Sequence, residues 1–446
     1  MEICTVGGFE EVGKNMTAVK VAEDVFLFDM GFFLPGVIEL QEQAHVDYTT
    51  KGLRRVGGIP DDRVLDRLGW REKVKAIFIS HAHLDHVGGI PFLANRYPKV
   101  PIYGAPFTMK VLESLITDAH TNLNNPLIVV QDNTTHSVPN TNRIKVEFIH
   151  ATHSTIDCVY IALHTQEGTF FYALDLKFDN HPTMGAPPNY SRLKEIGDNG
   201  VKVLIVDSLY SGTEKKPGGE KIAEHLLEDA FSKLTDPKDS AIFITTFSSH
   251  IERLNNIVKF AKKTGREIIF MGRSLSKYVD CAIKVGKCPF KDKIRIAKYR
   301  GQVNSILKKV EANRGKYIIV CTGHQGEKGS ILDRISRGQT PFKFSPRDNV
   351  IFSSSVIPTE VNLASRKKLD SKLRSLGVKL QADVHVHGHG SREDLREMLE
   401  LIRPKHIIPA HGSLEQETPM INLSKEYGYK FGKTSHLAFN GEVFNF

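Results

Sequence analysis

Cysteine is scarce in this chain. Five occur among 446 residues, at Cys4, Cys158, Cys281, Cys288 and Cys321, and no two are spaced as CxxC. An odd, scattered set excludes a disulfide framework and a zinc ribbon, and it fits a reducing compartment. Long apolar runs are lacking too: no stretch approaches the roughly 20 residues of a membrane span. The opening Met1-Glu2-Ile3-Cys4-Thr5 has neither the basic n-region nor the apolar h-region of a secretory leader. No solenoid-like repeat and no low-complexity segment occurs. The expectation is a soluble, cytoplasmic globular protein, its 40% hydrophobic content ordinary and its length enough for two or three cores. Acidic residues are outnumbered 51 to 60, a net charge of +9 that attracts polyanions without being specific to them.

Histidine, by contrast, is concentrated. The apolar run Val74–Ile79 reads as a buried strand and stops at Ser80-His81-Ala82-His83-Leu84-Asp85-His86. Three imidazoles and a carboxylate this close are costly to bury unless something bonds to them, and a divalent metal does so. A solvated His-rich turn is the bland alternative. His81, His83, Asp85 and His86 exceed what one four-coordinate ion accepts from so short a loop, so two ions are expected. Further strands end in similar residues: Ile144–Ile149 delivers His150 to Ser154, Thr169–Leu174 delivers Asp175, and Val201–Val206 delivers Asp207. His153, Asp175 and His411 complete a two-metal count. One ion takes His81, His83 and His153, the other takes Asp85, His86 and His411, and Asp175 bridges them. Two ions roughly 3.5–4 Å apart acidify a shared water and clamp the oxygens of a displacement at phosphorus, although thioesters and lactams suit such a centre as well.

In chain order, Met16–Val21 and Val25–Met30 predict a hairpin, with Asp29 placed either to orient a metal ligand or as a turn aspartate. Residues 32–70 read as irregular, with Lys51, Arg54 and Arg55 on a solvated or capping segment. A helix is expected from Gly88-Gly89 through Arg96. After Gly212–Gly219, a linker by composition, strands at 241–246, 267–271, 317–321 and 349–353 alternate with helices from Glu220, Ser249 and Ser274, and a basic stretch lies around Lys308-Lys309. That alternation implies a parallel sheet covered on both faces. Metal-type motifs resume at Asp383–His389 and, after a helix at 391–402, at Ile407–Gly412. The expected domains are 1–208, an inserted α/β domain at 209–360, and 361–446 completing the first.

HxHxDH with a later His, a strand-end Asp and a C-terminal His resembles the metallo-β-lactamase fold, an α/β protein built as a four-layer αβ/βα sandwich. Asp207, His389 and His411 resemble motifs A, B and C of its β-CASP nucleic-acid-processing branch, whose inserted domain is a parallel α/β sheet. Within the branch the chain resembles the ribonuclease J family, on Gly13-Lys14-Asn15-Met16, Thr246-Phe247-Ser248-Ser249, Thr322-Gly323-His324-Gln325-Gly326-Glu327 and Pro409-Ala410-His411-Gly412. These landmarks span residues 7 to 412. The chain departs from the family at His387-Gly388-His389, usually Ser-Gly-His, at His324, usually Ser, and at Ser154–Asp157, which lacks a proline. It ends soon after motif C, which resembles the archaeal type rather than the bacterial one.

The resemblance implies a metal-dependent ribonuclease with two Zn2+ per chain, Mn2+ also being compatible with the donors. It implies single-stranded RNA as partner, a homodimer, no membrane association, and a cut leaving a 5′-phosphate. Asp207 and His389 are the candidates for proton transfer near the leaving 3′-oxygen, with a brace and a structural histidine as their respective alternatives. Phe247, Ser248 and Ser249, at a strand-to-helix turn, and His385, Val386, His387, Gly388 and His389 are the candidate substrate-binding residues for a 5′-terminal phosphate. Gly272-Arg273-Ser274 is another such turn, which helix capping by Ser274 explains equally well. Lys51, Arg54 and Arg55 are candidates to follow the RNA backbone. The expected activity is 5′-to-3′ exonucleolysis of 5′-monophosphorylated RNA. An endonuclease of the same branch, cutting within RNA or maturing tRNA ends, is the alternative. A non-catalytic RNA-binding subunit is disfavoured because all seven ligand positions are filled.

Overall fold

The computed structural model describes residues 1–42, 48–234 and 239–446. The chain divides into two compact units, one comprising Met1–Asn180, Ala186–Pro217 and Gly388–Phe446, the other His181–Gly185 and Gly218–His387.

The first unit holds two sheets among its described residues. In spatial order, one runs Glu442–Asn445, Glu2–Gly7, Met16–Val21, Asp24–Phe28, Val74–Phe78, Ile102–Gly104 and Leu127–Val129. The other runs His406–Ala410, Val201–Asp207, Gly168–Ala173, Val159–Thr165, Lys145–His150 and Thr134–Ser137. Strand periodicity explains how the second sheet is buried on both faces. Val159, Ile161, Leu163, Phe170, Tyr172, Val203 and Ile205 join Phe26, Phe28, Phe78 and Phe148 in one core between the sheets. Their alternates Tyr160, Ala162, Phe171, Ala173, Leu204 and Val206 enter a second core with Leu193, Leu395, Met398, Leu399 and Met420. Those partners come from helices Tyr190–Asp198, Arg392–Ile402 and Leu414–Glu426. A strand with both faces covered has no polar alternation to show, so these segments read as continuous apolar runs.

The second unit is a six-stranded, wholly parallel sheet in the order Arg295–Ala297, Glu267–Met271, Tyr317–Cys321, Ile242–Thr245, Asn349–Phe352, Lys379–Gln381. Intervening helices supply the crossovers that parallel strands require. The expected boundary at 360/361 does not coincide with the edge of this unit. Lys379–Gln381 pairs with Asn349–Phe352, and helix Glu360–Ser375 buries Leu369 and Leu373 in the same core, so residues 361–387 fold with the insertion.

Local expectations are met unevenly. The hairpin forms as Met16–Val21 and Asp24–Phe28. Within the segment that reads as irregular, Leu34–Glu42, Thr50–Arg55 and Arg63–Arg67 are short helices. The helix expected from Gly88 to Arg96 is split into Ile90–Leu93, with Pro91 in its first turn, and a 3-10 turn Ala94–Arg96, and a further short helix, Leu84–Val87, precedes it. Ser274 is not a cap: Gly272, at φ 121°, takes that position before Arg273–Lys284.

Candidate metal centre

All seven residues proposed as ligands lie in the first unit and are brought together there. Two of them, Asp175 and His411, and the neighbouring Asp207 follow strands of one parallel set. Gly168–Ala173 precedes Asp175, and Val201–Asp207 pairs in register with His406–Ala410 so that Asp207 faces Ala410, next to His411. In the other sheet, Val74–Phe78 delivers the loop at 80–86. Parallel strands expose their carboxyl ends on one side, which is where such sheets assemble sites. One ligand atom each from His81, His83, His153 and Asp175 lies within 4.8 Å of the others, as do atoms from Asp85, His86 and His411. Asp175 stands between the sets, with Oδ2 3.3 Å from His153 Nε2 and Oδ1 3.3 Å from His86 Nε2.

The surroundings settle which ring nitrogens face the cluster. His86 Nδ1 is 2.7 Å from Asp29 Oδ2 and His153 Nδ1 is 2.8 Å from the Gly388 carbonyl, both acceptors. Each imidazole therefore donates through Nδ1 and presents Nε2 to the cluster, the orientation a metal ligand needs. Inside, His81 Nε2 and Asp175 Oδ1 are buried without hydrogen-bond partners. Buried polar atoms left unmatched are costly, and a cation would satisfy these two, so the residues fit a metal.

Burial drives the electrostatics. It pushes His83 down to about 4 and His81 and His153 well below the ordinary value, keeping these imidazoles neutral. Burial acts the same way on His86, yet Asp175, Asp85 and Asp29 outweigh it and hold that ring well above the ordinary value. Burial likewise opposes ionisation of Asp175, but His411, His86 and His389 together hold its carboxyl well below the usual range. A divalent cation would take the place of the protons held here on its ligands.

Neighbours make the centre rigid. Asp29 also accepts from the Ser80 amide and hydroxyl, each at 2.8 Å, and from Tyr172 at 3.1 Å. In the sequence Asn15 is only part of a family landmark. In the structure its amide lies 3.1 Å from His86 Nε2 and 2.9 Å from His411 Nδ1, and it donates to the Asp85 carbonyl, tying the loop to the C-terminal ligand. Asp29 and His411 both have left-handed backbones, φ 56° and 65°, which bulky residues adopt only when the surroundings hold them there. Gly31 permits the loop's close approach, since a Cβ there would lie 1.6 Å from the Asp85 carbonyl oxygen.

His389 and Asp207 adjoin the cluster. His389 Nδ1 is 2.7 Å from Asp207 Oδ2 and 3.8 Å from Asp175 Oδ2. Burial opposes a charge on His389, but Asp207 and Asp175 lift its pKa to about 9. Asp207 spends its remaining capacity on the amides of Leu176 and Leu209. His389 also lies close enough to Asp175 and His411 to form a third grouping of metal-ligand type.

Phe247, Ser248, Ser249, His385, Val386 and His387 belong to the second unit, Gly388 and His389 to the first. Phe247–Ser249 follows strand Ile242–Thr245, with Phe247 4.3 Å from the His324 ring and Ser248 Oγ 3.3 Å from Ser274 Oγ. Arg253, a residue that sequence reasoning misses, ties Glu220 and Ser353 to the 385–386 segment. It is wholly buried and bonds Glu220 at 2.9 and 2.5 Å, the Ser353 carbonyl at 3.0 Å and His385 Nδ1 at 3.1 Å. A guanidinium only donates, so His385 accepts at Nδ1 and keeps its proton on Nε2. The one signal in the sequence is an arginine interrupting an apolar helix face at Ile251-Glu252-Arg253-Leu254. Arg54, a candidate for following RNA, instead pairs with buried Asp62 at 2.5 Å.

The two-sheet sandwich, the HxHxDH loop with its converging partners and the inserted parallel α/β unit define a metallo-β-lactamase-type hydrolase of the β-CASP branch. Three family descriptions match in succession: a beta-lactamase superfamily domain at 62–194, the beta-CASP domain of ribonuclease J at 239–367, and a Zn-dependent metallo-hydrolase RNA specificity domain at 376–430. The chain belongs to the ribonuclease J family. It is 41% identical to ribonuclease J of Pyrococcus abyssi over 99% of this chain and 96% of that protein. It is 39% identical to ribonuclease J of Methanocaldococcus jannaschii, over 100% and 99%. Against ribonuclease J 1 of Streptococcus pyogenes it is 30% identical, covering 96% of this chain and 71% of the relative. A crystal structure of a protein of unknown function from Enterococcus faecalis shares the fold, with TM-score 0.64, 17% identity and 99% coverage of both chains. No helix among the described residues is long and apolar enough to cross a membrane.

Proposed function

We propose that this chain is a metal-dependent ribonuclease that degrades single-stranded RNA from the 5′ end, favouring a 5′-monophosphate and releasing products that keep a 5′-phosphate. The observation that carries the reading is the gathering of His81, His83 and His153 with Asp175, and of Asp85, His86 and His411 into a second set, with His86 reaching Asp175, in a chain of the ribonuclease J family.

His81, His83 and His153 would hold one cation, Asp85, His86 and His411 a second, with Asp175 shared. Zinc suits these donors and manganese is compatible with them. Such a pair supplies an acidified water and neutralises charge on the phosphoryl oxygens. Asp29 and the Gly388 carbonyl fix the tautomers of His86 and His153, so these ligands need no reorganisation. Asp207 orients His389, and His389 is the group to deliver a proton to the departing 3′-oxygen, because the Asp207 carboxylate 2.7 Å from its Nδ1 favours the protonated ring. Within the second unit, Ser248, Ser249 and the N–H groups of residues 385–387 are suited to a terminal phosphate, with His385 held as an Nε2 donor by Arg253. The homodimer implied by the resemblance belongs to the same proposal, and light scattering on the purified chain tests it.

Digestion of end-labelled RNA tests the activity. The proposal expects mononucleotides released progressively from 5′-monophosphorylated RNA, slower loss of triphosphorylated RNA and an intact circular RNA. Cleavage of the circle replaces the exonuclease with an endonuclease, and equal rates on the two 5′ ends remove the phosphate pocket.

A further inference from the structure

The net charge of this chain is localised. Residues 284–316 contain eleven Lys and Arg against only Asp292 and Glu311, a net +9 that equals the charge of all 446 residues, so the rest of the chain is balanced. This segment lies wholly in the second unit. It runs from the last turn of helix Arg273–Lys284 through a 3-10 turn Lys291–Lys293 to strand Arg295–Ala297, then into helix Arg300–Ala312. Among the described residues, strand Arg295–Ala297 is the edge of the parallel sheet, paired only with Glu267–Met271.

The cations are arranged as a line. Lys291 and Lys293 precede the edge strand, Arg295 lies on it, and Lys298 and Arg300 follow it. All are exposed except Lys298, which is half-buried. Three strand residues span about 10 Å, so consecutive cations lie within roughly a Debye length of one another and their potentials add. Not every basic residue contributes: Arg314 is committed to Asp348 and Glu311, and Arg295 stands 3.6 Å from Glu267. Lysines on an edge also discourage pairing with another sheet. A three-residue strand needs little such guarding, however, and the charge continues past it at Lys308 and Lys309, both exposed.

At the far end of the line Tyr299 is 58% exposed, with the Lys298 ammonium 5.4 Å from its ring centre. An exposed aromatic beside cations is a stacking platform for a base. The line also ends at the carboxyl end of the sheet, where exposed Arg273 and the Phe247–Ser249 turn follow their own strands. We propose that the basic edge Lys291–Arg300 binds the backbone of single-stranded RNA, so that the second unit grips long substrates at a site separate from the metal centre. The inference rests on the reading of this protein as a ribonuclease.

The test uses the full-length metal-loaded protein and a variant with Lys291→Gln, Lys293→Gln, Lys298→Gln and Arg300→Gln, all away from the core. Binding of a 30-nucleotide phosphorothioate RNA that resists cleavage is measured from 50 to 300 mM salt, beside turnover of a five-nucleotide RNA. Every phosphate of a single strand that the protein neutralises adds about 0.7 to the slope of log K against log salt. The variant is expected to show a slope smaller by about 2–3 and an affinity at least tenfold weaker at 100 mM salt, with short-substrate turnover unchanged. An unchanged slope and affinity overturns the proposal, as does an equal loss on short and long RNA. A variant that keeps RNA affinity but no longer binds polyglutamate assigns the edge to an acidic protein and equally overturns it. Binding is read without turnover, so a wild-type chain that binds the long strand but cleaves no RNA sinks the ribonuclease reading and leaves the edge standing.

Discussion

Asp29 Oδ2 sits 2.7 Å from His86 Nδ1, on the side of the ring away from the cluster. Both residues are fully buried, and the same carboxylate holds the Ser80 amide and hydroxyl. Asp29→Ala removes the acceptor that fixes the His86 tautomer, and with it the partner of the Ser80 amide, the Ser80 hydroxyl and the Tyr172 hydroxyl. Loss of such an outer partner costs about 10–100-fold in metal affinity. Competition against a zinc chelator should show that loss, with activity falling in parallel and recovering at high added metal. Undiminished affinity would make Asp29 a turn residue.

His389→Ala should retain the metal of the wild type in elemental analysis while turnover falls by about 10²–10⁴, the contribution expected of a proton-transfer group. Asp207→Asn should retain metal as well, and should shift the pH profile because His389 loses the neighbour that holds its proton. The direction is fixed: without Asp207 the pKa of about 9 falls, so the alkaline limb of activity moves to lower pH. Metal loss in His389→Ala would make it a ligand, as its position near Asp175 and His411 allows.

Glu417 lies fully buried in the first turn of helix Leu414–Glu426, and neither carboxylate oxygen is paired with a side chain. Burial pushes its pKa to about 10. The folded chain keeps this proton while the unfolded chain surrenders it near 4.5, so stability falls as pH rises through the window from about 4.5 to 10. Glu417→Gln carries no such proton, and it should raise stability at pH 8 by roughly 1–3 kcal/mol with little effect at pH 4. Urea denaturation at the two pH values measures the difference, and an equal effect at both would refute it.

What the sequence shows of this site follows from the kind of residue involved. His81, His83 and His86 stand out because three imidazoles at the end of an apolar strand are chemically conspicuous wherever they fold. Asp175, Asp207 and His411 stand out for the same reason, each directly following a buried run. Asn15 and Arg253 carry no comparable local signal. Their roles come from partners far away in the chain, His411 for one and Glu220, Ser353 and His385 for the other. Helix Leu414–Glu426 is hidden by Pro419, and Glu360–Ser375 by a face too polar to mark its buried Leu369 and Leu373. The inserted unit is legible from its alternation of strands and helices. Its extent is not, because Lys379–Gln381 is short and becomes a strand only by pairing with Asn349–Phe352.

Gly31 tests how tightly the histidine loop is built. A methyl group there meets the Asp85 carbonyl oxygen at 1.6 Å, and neither backbone can yield without moving the other. Gly31→Ala should lower stability by about 1–3 kcal/mol and weaken metal binding more than Gly301→Ala, a control site with open space around it. Equal metal affinity in the two variants would show that the loop tolerates displacement.

Arg253 offers the sharpest separation of stability from function. Its guanidinium and Glu220 are both buried, so removing one partner strands the other charge, at about 3–5 kcal/mol. Arg253→Met should therefore be strongly destabilised, and Glu220→Gln combined with Arg253→Met should recover much of the loss because no charge is left behind. The double variant still lacks the donor at His385 Nδ1. If His385 serves the 5′-phosphate through Nε2, its tautomer is no longer fixed. KM for 5′-monophosphorylated RNA should rise several-fold while kcat stays near the wild-type value. Restored stability with a wild-type KM would confine Arg253 to the architecture of the second unit and remove His385 from the phosphate pocket.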